Sequence, residues 1–329
     1  MFPVPATQVV DLAGPQGHFD HRDSLDKTIR IGVLDGSVGD GDWAAMQNYC
    51  DLVYIRSGAH AVRRCAIAVP DVHAAAEALC SHIEDNPQAS AILASVLRAS
   101  DSMSVRAGLD VESWAYSTLL GGVEFSMWLG GRGDRDLPGE VDDGVVVERD
   151  NDTLVIVLNR PERRNAYGAA LRDSLCAALD IAIIDDSIRS VEIRASGPVF
   201  CAGGDLAEFG TTPDPVTAHF VRTAAGAAVR LAQVADRSDA FLHGACVGAG
   251  IEIPAFACRI TADPGAYFRL PEVSMGLIPG AGGTVSIPRR IGRWRTFHMA
   301  VSGDIIDAAT ALQWGLVDEI RPVTPYVRQ

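Results

Sequence analysis

Two glutamates stand in company that does not suit a charge. Glu252 is the only acidic or basic residue in the glycine-punctuated apolar run GACVGAGIEIPAF (244–256), and Glu272 follows Pro271 at the head of another apolar, glycine-rich stretch. An unpaired carboxylate is costly to bury, so such a group finds partners, shifts its pKa or does chemistry. Two carboxyls at one electrophilic centre can divide the work, one as general base and one as general acid. The plain alternatives are that Glu252 is a first-turn helix carboxylate, favoured by the dipole by about 0.3–1 kcal/mol, and that Glu272 caps loop backbone.

Two glycine loops accompany them, CAGGD at 201–205 and GAG at 248–250. Each follows a strand-like run and opens towards a helix. Without side chains, backbone can approach a ligand closely, and N–H groups at a helix start point outward. Two such groups converging would stabilise an oxyanion. Either loop alone could equally serve a tight turn.

The elements that must position these residues alternate. Residues 152–159, 190–195 and the runs around FLHGACVG and RITAD read as strands, and 167–183 as an amphipathic helix. This is an α/β pattern with glycine loops at strand ends, where such folds place ligands. A linker is expected over 130–144, where glycine, proline and charges crowd. Before it, helices are expected from the Asp71 cap, over 88–100, over 104–120 from Ser104 to the Gly121–Gly122 stop, and as one short turn over 123–129. Earlier still, TIRIGVLDG and DLVYIRSG read as strands flanking a short helix at 42–49, a small α/β unit of unknown role. GSVGDG at 36–41 lacks the Lys-Ser/Thr ending and acidic partner of a phosphate loop.

The 329 residues carry 28 Lys and Arg against 42 Asp and Glu, a formal charge of -14, which argues against nucleic acid or an anionic membrane as partner. No run is long enough to span a bilayer and the start lacks a signal-peptide pattern, so a cytoplasmic location is expected. Seven cysteines without a CxxC pair suit reduced core thiols, and no metal site is indicated.

The segments LNRPERRNAY (158–167), FCAGGDL (200–206), HGACVGAGIE (243–252) and FRLPEVSMGLIPGAGGTVSIPRRIGR (268–293), with DAATALQWGLVDEI (307–320), resemble the enoyl-CoA hydratase/isomerase, or crotonase, superfamily. The resemblance covers about 145–322 in the right order. It implies a ClpP/crotonase spiral of ββα units over 144–329. It also implies an acyl-CoA thioester substrate whose carbonyl sits between the N–H groups of Gly204 and Ala249, and Glu252 and Glu272 as the catalytic pair of a hydratase that converts 2-enoyl-CoA to 3-hydroxyacyl-CoA. Arg163 or Arg164 would lie near the CoA phosphates and Ala202 near the adenine and pantetheine, with Asp205 and Gly248 also on the substrate side. CoA then arrives as part of the substrate, no further cofactor is needed, and a homotrimer or hexamer is implied. An isomerase using Glu272 as its single base and an inactive acyl-CoA-binding homologue are the rival readings.

Four departures qualify the resemblance. Arg269 stands where the family usually has glycine and could pair with Glu272 or narrow the acyl pocket. Pro254 requires its helix to begin at about Gly250 or later. Ser238 and Asp239 put polar groups into an expected buried strand. Finally, family members carry a helical tail after the GLVDEI segment, and here 71–132 resembles that tail; the expectation is a chain circularly permuted in effect, with the tail placed before the core, the alternative being a degenerate N-terminal duplicate.

Overall fold

The computed structural model describes residues 6–12, 27–36, 42–58, 66–133, 136–137 and 144–327. Most of the expected linker, most of the GSVGDG loop and Cys65 lie outside these; the other six cysteines are free thiols.

Strands β1 (Thr7–Asp11), β2 (Ile29–Leu34), β3 (Leu52–Arg56) and β4 (Ile67–Val69) form a parallel sheet in that order, with helix α1 (Asp42–Tyr49) crossing from β2 to β3. β2 and β3 are buried along almost their whole length, which is why they read as unbroken apolar runs. β1 and β4 escape the sequence reading. β1 is an edge strand of half-exposed residues and β4 has three residues, too few for a period to register.

Four helices follow. α2 (Val72–Asp85) starts at Asp71, whose carboxylate accepts from the N–H groups of His73 and Ala74 at 3.0 Å each. α3 (Pro87–Ser100) has proline at its first position and borrows its cap: the Glu124 carboxylate accepts from Gln88 N–H at 2.6 Å and Ala89 N–H at 2.9 Å. α4 (Val105–Leu120) runs from the Ser104 cap to Gly121. α5 (Val123–Arg132) is a ten-residue helix, longer than the short turn expected there.

The core begins with an antiparallel hairpin, β5 (Val145–Asp150) and β6 (Thr153–Leu158). Then come α6 (Ala169–Ile184), β7 (Ser190–Ala195), α7 (Pro215–Ala225), α8 (Ala227–Gln233), β8 (Ser238–Leu242), β9 (Ala245–Val247), α9 (Ala249–Glu252), β10 (Arg259–Ala262) and β11 (Tyr267–Arg269). α10 (Gly283–Ile291), α11 (Arg293–Ser302), β12 (Ile306–Asp307), α12 (Ala308–Trp314) and β13 (Glu319–Ile320) complete it. The large sheet has the order β13-β10-β8-β7-β6-β5 and the small one β12-β11-β9. Successive turns of chain give one strand to each sheet, β8 then β9 and β10 then β11; after β7, Cys201 bridges to Cys246 beside β9 in the same parallel sense. β8 sits inside the large sheet despite its polar start, because Ser238 turns its hydroxyl onto Val234 O at 2.6 Å.

The two halves are packed together. α2 and α3 lie on α11, α3 and α4 on α10, α4 on α7, and α5 on the turn Glu272–Met275. The N-terminal sheet also docks on α11: Trp294 Nε1–H donates to Cys50 O at 3.1 Å, Arg295 Nε–H to Ala66 O at 3.2 Å, and Tyr54 Oη lies 2.9 Å from His298 Nδ1. Among the described residues no helix is long and apolar enough to cross a membrane.

Candidate active site

The small sheet brings the chemistry together. β9 and β11 run parallel with Val247 opposite Arg269, so residues shortly after those two positions leave the sheet side by side. Glu252 closes the single turn of α9, and Glu272 opens the 3-10 turn after Pro271. Gly204 arrives beside them from the neighbouring segment through the Cys201–Cys246 bridge. All three lie beyond the carboxyl ends of parallel strands. Pro254 does no harm to α9, since that helix ends at Glu252 and Pro254 starts the next turn.

Gly204, Ala249, Glu252 and Glu272 line one cavity of about 200 Å³, together with Tyr116 and Leu120 of α4 and Val221 and Arg222 of α7. An adjoining cavity of about 160 Å³ shares Tyr167, Arg172, Val221, Arg222 and Gly280 with it. Neither Gly204 N–H nor Ala249 N–H donates to another group among the described residues. Two backbone donors are therefore free to meet a ligand oxygen in the cavity that also holds both carboxyls.

Gly248 is what lets those carboxyls meet. Its φ of +50° with ψ of -122° suits only glycine, and a Cβ there would lie 2.4 Å from Glu272 Oε1 and 3.7 Å from Glu252 Oε1. Its own N–H is occupied by Arg269 O at 2.9 Å, and its carbonyl accepts from Ile251 and Glu252. The residue expected on the substrate side instead shapes the meeting point of the two glutamates.

The carboxyls differ in their partners. Glu252 is 2% exposed and its Oε2 accepts from Ala281 N–H at 2.7 Å and Gly283 N–H at 3.0 Å. Glu272 is 9% exposed, and its Oε2 has no hydrogen-bond partner among the described residues. Burial, and then the negative charges of Glu272 and Glu112, push Glu252 well above the ordinary carboxyl range; the two N–H bonds pull the other way. Burial pushes Glu272 up to about 8. Cys201 nearby is held protonated by burial, up to about 12, and is no nucleophile at neutral pH.

Of the remaining expected positions, Asp205 lines the cavity, whereas Arg163, Arg164 and Ala202 do not. Arg163 grips Asp205 with both arms, Nε to Oδ2 at 3.0 Å and Nη2 to Oδ1 at 2.8 Å, and Asp205 also accepts from Ala207 N–H at 3.1 Å. The pair braces the glycine loop, and Asp205 is 3% exposed. Arg164 is exposed in a left-handed conformation, and its carbonyl accepts Ala202 N–H at 3.0 Å. Arg269 neither bonds Glu272 nor narrows the cavity. It is exposed and donates to Gly303 O at 2.7 Å, its charge drawing Glu272 only a little downward.

Sequence reasoning passes over the wall contributed by α4 and α7. Arg222 stacks 4.4 Å over the Tyr116 ring and donates to Ser113 Oγ at 3.3 Å and to Ser117 Oγ. Burial lowers its pKa and raises that of Tyr116. Glu112, buried in the same wall, accepts from Gly282 N–H, Thr284 N–H and Thr284 Oγ1–H. The usable signal was the spacing of Glu112, Tyr116 and Leu120, which share one face of a helix.

A model of the enoyl-CoA hydratase/isomerase family matches residues 148–329. The chain is 35% identical over 178 residues to 2,3-dehydroadipyl-CoA hydratase of Escherichia coli, covering 54% of this chain and 69% of that one. It is 33% identical over 177 residues to an enoyl-CoA isomerase/hydratase of Mycosarcoma maydis, covering 51% and 64%. Among solved structures, enoyl-CoA hydratase of Mycobacterium smegmatis aligns with a TM-score of 0.50 at 29% identity, over 54% of this chain and 70% of that one.

Proposed function

We propose, for a chain that belongs to the enoyl-CoA hydratase/isomerase family, that it adds water across the double bond of a 2-enoyl-CoA to give a 3-hydroxyacyl-CoA. The observation that carries this reading is the meeting of two carboxyls, Glu252 and Glu272, over Gly248 in a cavity that also presents the N–H groups of Gly204 and Ala249.

Conjugate addition to a thioester builds negative charge on the carbonyl oxygen, and two aimed N–H donors stabilise it by a few kcal/mol each. Two neighbouring buried carboxyls do not ionise together easily. Both carboxyls are raised by burial, and the two N–H bonds to Glu252 favour placing the first charge there while Glu272, whose Oε2 has no donor among the described residues, keeps its proton. Glu252 then takes a proton from a water held between the pair as that oxygen bonds to the β-carbon. The electron pair moves onto the thioester oxygen, and as the enolate collapses Glu272 delivers its proton to the α-carbon. Passage of the acquired proton from Glu252 to Glu272 restores the resting state, and the sum is one water added.

In this reading CoA is part of the substrate and no separate cofactor takes part. Arg164, exposed beside the 201–205 loop, is the cation available for the CoA phosphates, because Arg163 is engaged with Asp205. Helix α4 lines both cavities, which supports a tail-like role for 71–132. The homotrimer or hexamer implied by the resemblance belongs to the same reading. A double-bond isomerase is the second reading, favoured by one observation: Glu272 Oε2, without a donor, is free to carry a proton from one carbon to another.

The test follows crotonyl-CoA by loss of the conjugated thioester absorbance and by product mass. Hydration adds the mass of one water, and Glu252→Gln and Glu272→Gln should each slow it by about 10²–10⁴-fold. An unchanged mass with a moved double bond, observed with a 3-enoyl-CoA, establishes the isomerase instead.

A further inference from the structure

Four successive backbone N–H groups lead into α10, two just before its first residue and two on its first two residues, and they are shared alternately between two carboxylates. Ala281 and Gly283 donate to Glu252, whereas Gly282 and Thr284 donate to Glu112 at 2.8 and 2.9 Å. The Thr284 hydroxyl adds a third bond to Glu112 at 2.7 Å. Glu112 comes from α4, outside the residues that the family model matches, and is 2% exposed. The turn it holds presses directly on the other glutamate, since a Cβ at Gly283 would fall 2.6 Å from Glu252 Cγ.

N–H groups at and just before a helix start have no partner within the helix, and each carboxylate here meets two such groups. One acid alone could satisfy only half of the turn. With Glu112 absent, Gly282 and Thr284 would be buried donors without acceptors, and the turn would shift to find some. Any such shift carries Ala281 and Gly283 with it, and so the oxygen on which Glu252 is hung.

We propose that Glu112 is a positioning residue: it fixes the 281–284 turn from the N-terminal helices and thereby sets the Glu252 carboxylate in its working place. The proposal rests on the hydration reading only for the consequence in turnover; the alternating bonds are a property of the fold. It makes α4 a constituent of the site and not merely its cover.

The test is Glu112→Gln in the full chain. The amide keeps the volume but sets an NH2 against at least one of the three donors it faces. Small displacements of a reacting group lower rates steeply, so kcat for crotonyl-CoA should fall about tenfold or more with KM moved less than about threefold. The second readout needs no turnover: amide hydrogen exchange by NMR at Ala281 and Gly283, which Glu112 does not touch, should accelerate about tenfold. Faster exchange confined to Gly282 and Thr284, with kcat unchanged, overturns the proposal and leaves Glu112 a helix cap. If the wild type turns over no enoyl-CoA, the hydration reading fails, and the exchange at Ala281 and Gly283 still decides the positioning role. Should Glu112→Gln not fold, Thr284→Val removes one of the three bonds and is expected to move both readouts in the same direction by less; no movement at Ala281 and Gly283 overturns the proposal again.

Discussion

Buried acids are treated in two opposite ways in this molecule. In the N-terminal sheet unit Asp51 is 4% exposed, and its charge is met by the Arg98 guanidinium and by Arg30 N–H at 2.9 Å. At the other end Glu112, Glu252 and Glu272 are as deeply buried, yet no cation forms an ion pair with any of them among the described residues. They are met by N–H groups, one hydroxyl and, at Glu272 Oε2, nothing. A paired buried acid ties two elements together and loses stability when broken. Acids buried close to each other without an ion-paired cation cost stability, and such expense is typical of groups retained for chemistry.

The comparison is sharpest in turnover. The carboxyl-to-amide changes at Glu252 and Glu272 should be separated from Asp51→Asn by the full 10²–10⁴-fold given above, with the folded Asp51→Asn protein keeping the wild-type kcat. Loss of turnover in folded Asp51→Asn would break the division between structural and functional acids.

Stability should show the reverse order. Asp51→Asn leaves the Arg98 charge without its partner and should cost roughly 3 kcal/mol in urea unfolding. Glu272→Gln should instead stabilise at alkaline pH. A carboxyl raised to about 8 keeps in the folded state a proton that the unfolded chain releases near 4.5, so stability falls as pH rises between those values. The amide removes that loss. The melting temperature of Glu272→Gln should therefore draw ahead of the wild type from pH 5 to pH 8, by an amount worth roughly 1–4 kcal/mol. A constant gap across that range would mean that Glu272 ionises normally. The smallest effect is expected at Arg269→Gly, which loses one bond to Gly303 O, about 1 kcal/mol or less, and moves the Glu272 titration slightly upward.

Much of the site could be read from the chain because its motifs are local. CAGGD, GAGIE and RLPE each carry their turn and their functional residue within five positions, and the small sheet has only to set three strand ends abreast. What lay hidden depended on distant partners. The buried face of α4 holds Gly108, Glu112, Ser113 and Ser117, so a search for an apolar stripe looks past it; its partners lie more than a hundred residues away on α7 and α10. β5 went unread because its pattern is half-exposed and polar towards its end. Arg269 misled for the opposite reason. Nearness in sequence to Glu272 suggested an ion pair, but β11 ends at Arg269 and Glu272 turns away into a 3-10 turn, while Arg269 reaches out to Gly303 O at the end of α11.

The shared turn at 281–284 also binds two energies together. Under the positioning role proposed for Glu112, a molecule that enters the cavity and steadies Glu252 also steadies Glu112 and α4, and reciprocity makes that coupling the same from either side. Because α4 packs on the helices that carry the N-terminal sheet, occupancy of the site and cohesion of the two halves are one equilibrium seen from two ends.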